Sequence, residues 1–113
     1  MKNTISVRYH VKLDEIKDLI DSASRGSAYW ADSQNLGYES QVAIIFNHHA
    51  VEIVDNEDDK KLHRLNLEKV KKGLTVMAKK EPKHFADFIK QEYDQVTGDV
   101  FLQCCLFGKV IYG

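Results

Sequence analysis

Thr97-Gly-Asp-Val-Phe-Leu-Gln-Cys-Cys-Leu-Phe-Gly-Lys-Val-Ile-Tyr-Gly113 closes the chain, and between Val100 and Phe107 its only polar side chain is Gln103. A run that apolar is a liability at a surface, so it is expected to pack into the middle of the fold. On this reading the chain is a complete small domain that ends inside its own core. Thr97 is placed to cap a helix, Asp99 to sit near its positive end, and Gly108 to follow its C-terminus. A helix apolar on every side belongs in a core; a central strand is the competing reading. Lys109 to Gly113 is expected to run extended and to pair with a sheet.

Working back from this segment, Pro82 cannot continue a helix but suits the first turn of one that buries Phe85, Phe88, Ile89 and Tyr93. Asn66 is a suitable N-cap for the preceding helix, with Leu65 placed to pack on Val70. That helix would bury Leu67, Val70, Leu74, Met77 and Ala78. Gly73 weakens it by about 1 kcal/mol relative to alanine unless close packing requires it. Lys61 to Leu65 reads as a short edge strand. Gln41–Phe46 and Ala50–Val54 read as two strands joined in a hairpin at Asn47-His48-His49. Ser27 to Ser40 has no period and is expected to be a partly extended loop.

Leu13, Ile16, Leu19, Ile20 and Ala23 share one helical face, with Asp14, Glu15 and Asp18 toward the N-terminal end and Arg25-Gly26 as the stop. Ile5, Val7, Tyr9 and Val11 alternate with Ser6, Arg8 and His10, the pattern of a half-buried strand. The expected fold is one α+β domain over residues 1–113. A small, mostly antiparallel sheet from the N-terminal half packs against three C-terminal helices and one N-terminal helix.

A chain of 113 residues can bury one core without disulfide or metal staples. No apolar stretch approaches the roughly 20 residues that span a bilayer, and the first residues alternate where a signal peptide would be continuously apolar. A cytosolic protein, with no membrane partner, is expected. Cys104 and Cys105 are adjacent, a geometry unsuited to a disulfide, and read as small hydrophobes.

The net charge of −1 argues against a strongly basic nucleic-acid binder, but the charge is unevenly spread. Glu52, Asp55, Glu57, Asp58 and Asp59 form an acidic stretch without a base. Lys60 to Lys83 then holds nine Lys and Arg residues against Glu68 and Glu81. Lys69, Lys72, Lys79, Lys80 and Lys83 are expected along the outward side of one helix, where they can meet an acidic protein surface or nucleic-acid phosphates. The acidic Asp55, Glu57, Asp58 and Asp59 are the second candidate contact surface. Calcium is not expected there, because Lys60 and Asn66 occupy the places of the required Gly and bidentate Glu.

Arg25-Gly-Ser-Ala-Tyr29-Trp30 is the candidate ligand site. Gly26 and Ser27 allow close backbone approach, while Tyr29 and Trp30 offer stacking surface beside Arg25. The same residues equally make a helix stop followed by core aromatics. His48, His49 and His84 are the only acid–base candidates, and none has a recognisable partner set. No metal-ligand spacing, phosphate loop or nucleophile elbow is present, so neither a metal nor a cofactor is expected.

Ser27-Ala-Tyr29-Trp30, Pro82-x-His-Phe85-Ala-Asp-Phe88 and Thr97-Gly-Asp99-Val-Phe-Leu-Gln103, running into Phe107-Gly108-x-Val-x-Tyr112-Gly113, together resemble a family of small proteins encoded by bacteriophages and prophages. The C-terminal signature is the most specific part, and residues 39–61 carry little of the likeness. The resemblance brings no catalytic residue with it. It implies a setting: a phage-derived accessory protein inside a bacterium, bound to a host protein or complex such as a defence component. A homodimer through an edge strand is a further expectation.

Overall fold

The computed structural model describes residues 3–113. Its elements are α1 (Leu13–Gly26), β1 (Ala31–Asp32), a 3-10 turn (Gln34–Gly37), α2 (Glu39–Phe46), β2 (Val51–Asp55), β3 (Lys61–Leu65), α3 (Leu67–Lys80), α4 (Pro82–Ile89) and α5 (Gln95–Phe107). The fold is α+β, with a three-stranded antiparallel sheet in the order β1-β2-β3. No helix among the described residues is long and apolar enough to cross a membrane.

The C-terminal apolar run is a helix, and it is the centre of the core. Every residue from Thr97 to Cys105 is buried, as an all-round apolar helix must be. Neighbouring helices reach it through glycine at two crossings. A Cβ on Gly98 would collide with the backbone of Ser22 and Ala23 in α1, and one on Gly73 of α3 would collide with Cys105 of α5. Gly73 therefore serves close packing, and its helix-propensity cost is offset by the contact. The N-cap of α5 is Asp94, whose carboxylate accepts the Val96 N–H at 2.9 Å, one turn before the expected Thr97. Asp99 consequently lies inside the helix and the core, not at the helix's positive end.

The caps of the other helices follow their sequence signals. Asn66 accepts the Lys69 N–H at 2.9 Å, and Pro82 occupies the first turn of α4. Asp55 pairs with Lys61 and Val51 with Leu65 across the β2–β3 hairpin. Val51, Ile53 and Asp55 alternate inward along β2.

Four further expectations fail. Gln41–Phe46 is not a strand but most of α2, which buries Val42 and Ile45 on one side. Three-residue spacing of the buried pair outweighs the β-branched composition, because short apolar runs carry no decisive period. Asn47-His48-His49 is accordingly not a hairpin loop but the end of that helix. His48 has φ 66°, its N–H bonds the Ile45 carbonyl, and the His49 N–H bonds the Ile44 carbonyl. This is a Schellman close with histidine where glycine is usual.

The alternating segment 5–11 joins no sheet. From Thr4 to Lys12 the backbone makes no helix, ladder, turn or bend, and Ile5, Val7 and Tyr9 are 91%, 73% and 62% exposed. The tail also avoids the sheet's ladders. The Gln103 Oε1 accepts the N–H groups of Ile111 and Tyr112, both at 2.8 Å, so a side chain of α5 takes the place of a strand.

Candidate partner-binding groove

Residues 4–11 form an arm that runs past α3 and α4. Tyr9 meets Phe85 edge-on, with ring centroids 5.5 Å apart. Phe85 in turn adjoins Phe88, and Phe88 adjoins Tyr93, so the arm extends the aromatic line of α4. Between arm and helices lies a groove of about 550 Å³ with an apolar floor of Val7, Val11, Leu74, Ala78 and Phe85. Arg8, His10, Lys71 and Lys79 also line it, and no Asp or Glu does.

The helix geometry explains which lysines take part. At about 100° per residue, Val70, Gly73 and Met77 face the core of the molecule. Lys72 and Lys79 then point away from it, Lys71 lies on the flank toward the arm, and Lys69 and Lys80 lie on the other flank. Lys80 donates to the Gly108 carbonyl at 2.9 Å, and Lys83 belongs to α4. Lys69, Lys72, Lys79 and Lys80 therefore keep to one arc of about 100° on α3, and of the expected stripe only Lys83 leaves that helix.

The acidic candidate divides. Asp55 is buried and accepts the Tyr112 hydroxyl at 2.7 Å and the Glu57 N–H at 2.9 Å. The hydrogen bond to Asp55, followed by burial, raises the Tyr112 pKa to about 12. Glu57, Asp58 and Asp59 are exposed in the β2–β3 turn, with Asp59 and Lys60 at φ 53° and 58°.

The four residues of the expected ligand turn divide between core and surface. Trp30 is fully buried, stacked at a tilt on Phe107 and Tyr112, and donates its indole N–H to Asp99 at 2.7 Å. Ser27 is buried and donates to the Ala23 carbonyl at 2.6 Å. Arg25 pairs with Asp21 at 2.6 Å on the surface. Arg25 also lines a small cleft of about 360 Å³ with Asp18, Asp21 and Asp94, while Tyr29 opens onto a separate one of about 610 Å³ that Glu81, His84, Asp99 and Tyr112 also line. The Tyr29 hydroxyl donates to Asp99 at 2.6 Å; burial first, then this bond, raises its pKa to about 12. Two carboxylates and no Lys or Arg line that cleft, which disfavours an anionic nucleotide.

His48 and His49 are exposed at the α2 terminus. His84 shares a 2.8 Å hydrogen bond with Thr97 through Nδ1. Both cysteines are free and buried on α5, and burial raises the pKa of each thiol, to about 11 for Cys104. The described residues hold no group of three potential metal ligands.

Sequence reasoning missed the groove because its parts belong to separate segments. Arg8 and His10 carried the available signal, being charged or polar positions within an alternating run. Lys71 lay among the other lysines with nothing to single it out. In comparisons with family models, curated proteins and solved structures, the chain matches none.

Proposed function

We propose that this chain is a non-enzymatic binding protein that attaches to an acidic surface of a bacterial protein. The likeness of its sequence motifs to phage and prophage proteins supports reading it as an accessory factor of the host cytosol, with a component of host defence as the kind of target such a factor blocks. The observation that carries the reading is the groove between arm and α3. It combines exposed apolar side chains with four basic residues and no acid in its lining. An apolar floor supplies affinity, and a single-sign rim steers and selects the partner.

The test is capture of host proteins by the tagged chain from bacterial lysate, with and without Arg8, Lys71 and Lys79 changed to Glu. All three side chains are exposed, so the triple variant is expected to keep its melting temperature. An acidic host protein should be retained by the wild type, lost by the variant, and released by raised salt. Equal retention by both proteins would remove the groove from the account.

A further inference from the structure

We infer that the arm recognises its partner by strand addition: an extended segment, acidic at alternate positions, pairs along the backbone of residues 4–11. This deepens the groove reading and rests on it. Ile5-Ser-Val-Arg-Tyr-His-Val11 has the composition and the period of a strand. None of its N–H or C=O groups finds a partner among the described residues; Ile5, Val7 and Tyr9 stand exposed, while Val11 anchors the arm against the core. The arm thus presents an unused template of the kind that accepts an added strand.

Charge identifies the occupant. Arg8, His10, Lys71 and Lys79 line one groove together with Val7 and Tyr9, and on pairing as a strand the arm would set Arg8 and His10 on one side and Val7 and Tyr9 on the other. Cross-strand neighbours prefer opposite charge on one face and apolar or aromatic partners on the other. The fitting segment therefore alternates Asp or Glu with β-branched or aromatic residues. A second copy of the arm meets this requirement poorly, since it would set Arg8 and His10 against their own kind.

Two measurements test the mode of binding. The first compares a fluorescent heptapeptide alternating Glu and Val with a peptide of the same composition in which the Glu residues are contiguous. The alternating peptide should bind at least tenfold more tightly, by anisotropy. The second uses Ser6→Pro and Val7→Pro, with Ser6→Ala and Val7→Ala as side-chain controls. Successive N–H groups of a strand point to opposite edges, and proline removes one. Only one of the two prolines should weaken the alternating peptide tenfold or more relative to its alanine control.

Equal effects of the two prolines, or equal affinity for the two peptides, would overturn strand addition while leaving the acidic-partner reading intact. Failure of both peptides to bind, combined with loss of no host protein on charge reversal, would remove both. Light scattering at the same concentrations separates the remaining occupant: a dimer broken by one proline would show that the arm pairs with itself, and would overturn the acidic segment.

Discussion

Gln103 and Tyr112 exchange two hydrogen bonds: the Gln103 Oε1 accepts the Tyr112 N–H at 2.8 Å, and its Nε2 donates to the Tyr112 carbonyl at 3.1 Å. The side-chain amide acts as a peptide group would in a sheet. It also accepts from Ile111 and donates to Asp99 at 3.0 Å, so all four of its hydrogen-bonding positions are used. Tyr112, thus held, reaches Asp55 on β2 and covers Trp30.

Replacing Gln103 by Leu strands the two N–H groups and the carbonyl of the tail, and removes one of three donors to the buried Asp99. A loss of about 2–4 kcal/mol is expected, since buried groups left unpaired lose more than the net worth of one bond. Urea denaturation measures it. Hydrogen exchange at Ile111 and Tyr112 should accelerate more than exchange in α1.

Gly73→Ala should destabilise although alanine is the better helix former by about 1 kcal/mol. The added Cβ would lie 2.9 Å from the Cα of Cys105 and 3.0 Å from its N. Backbone cannot yield as a flexible side chain can, so α3 and α5 must separate. A net loss of about 1–3 kcal/mol is expected from the overpacking, read as a lowered urea midpoint. An unchanged or raised midpoint would mean that the two helices slide apart freely.

His48→Gly should act in the opposite direction. His48 is exposed at φ 66°, where an L side chain crowds its own carbonyl and glycine does not. A gain of about 0.5–1 kcal/mol is expected at the α2 terminus, seen as a higher melting temperature. A variant that lost stability would reveal a contact for the imidazole.

His63 gives the fold a dependence on pH. Its ring stands edge-on to Phe107, 5.1 Å between centroids, and its Nε2 is buried without a hydrogen-bond partner among the described residues. Burial, followed by the charge of Lys61, holds its pKa below the ordinary 6.5. The unfolded chain therefore binds this proton more readily than the folded one. The contribution to stability is complete above 6.5 and is lost as the pH falls from there through the lowered folded value. Denaturation of wild type and His63→Leu across this range should show wild type alone losing ground on this account; parallel curves would contradict it.

Local signals made much of the fold legible. Asn66, Pro82, the Asp14–Glu15 turn and Gly108 mark helix ends through interactions that span a few residues, and α1, α3, α4 and α5 follow them. The helical nature of α5 was also readable, because an apolar run followed by a C-terminal glycine has few other homes. The segment 41–46 reads as a strand because Val42 to Phe46 are all apolar, and so short a run shows no period until packing on one side selects Val42 and Ile45. The arm was misread for the converse reason: its period is that of a strand, but a strand needs a partner supplied from elsewhere.

The candidate groove was the least legible part. Arg8, Lys71, Lys79 and Phe85 have no shared spacing, and become neighbours only because the arm crosses α3 and α4. The same is true of the core network, in which Tyr29 and Trp30 reach Asp99 across 70 and 69 residues.

The order of apolar and polar residues, together with the capping side chains, was enough to determine the helices of the C-terminal half and the strand character of 51–55 and 61–65, since these rest on contacts close along the chain; the apolar run of the last helix also announced its burial. Tertiary structure alone decided that Gln103 holds the tail, that Asp99 gathers the aromatic turn, and that residues 4–11 are left unpaired beside the lysines of α3. Those outcomes depend on which distant segments compete successfully for the same surface, and such competition is settled by packing in three dimensions.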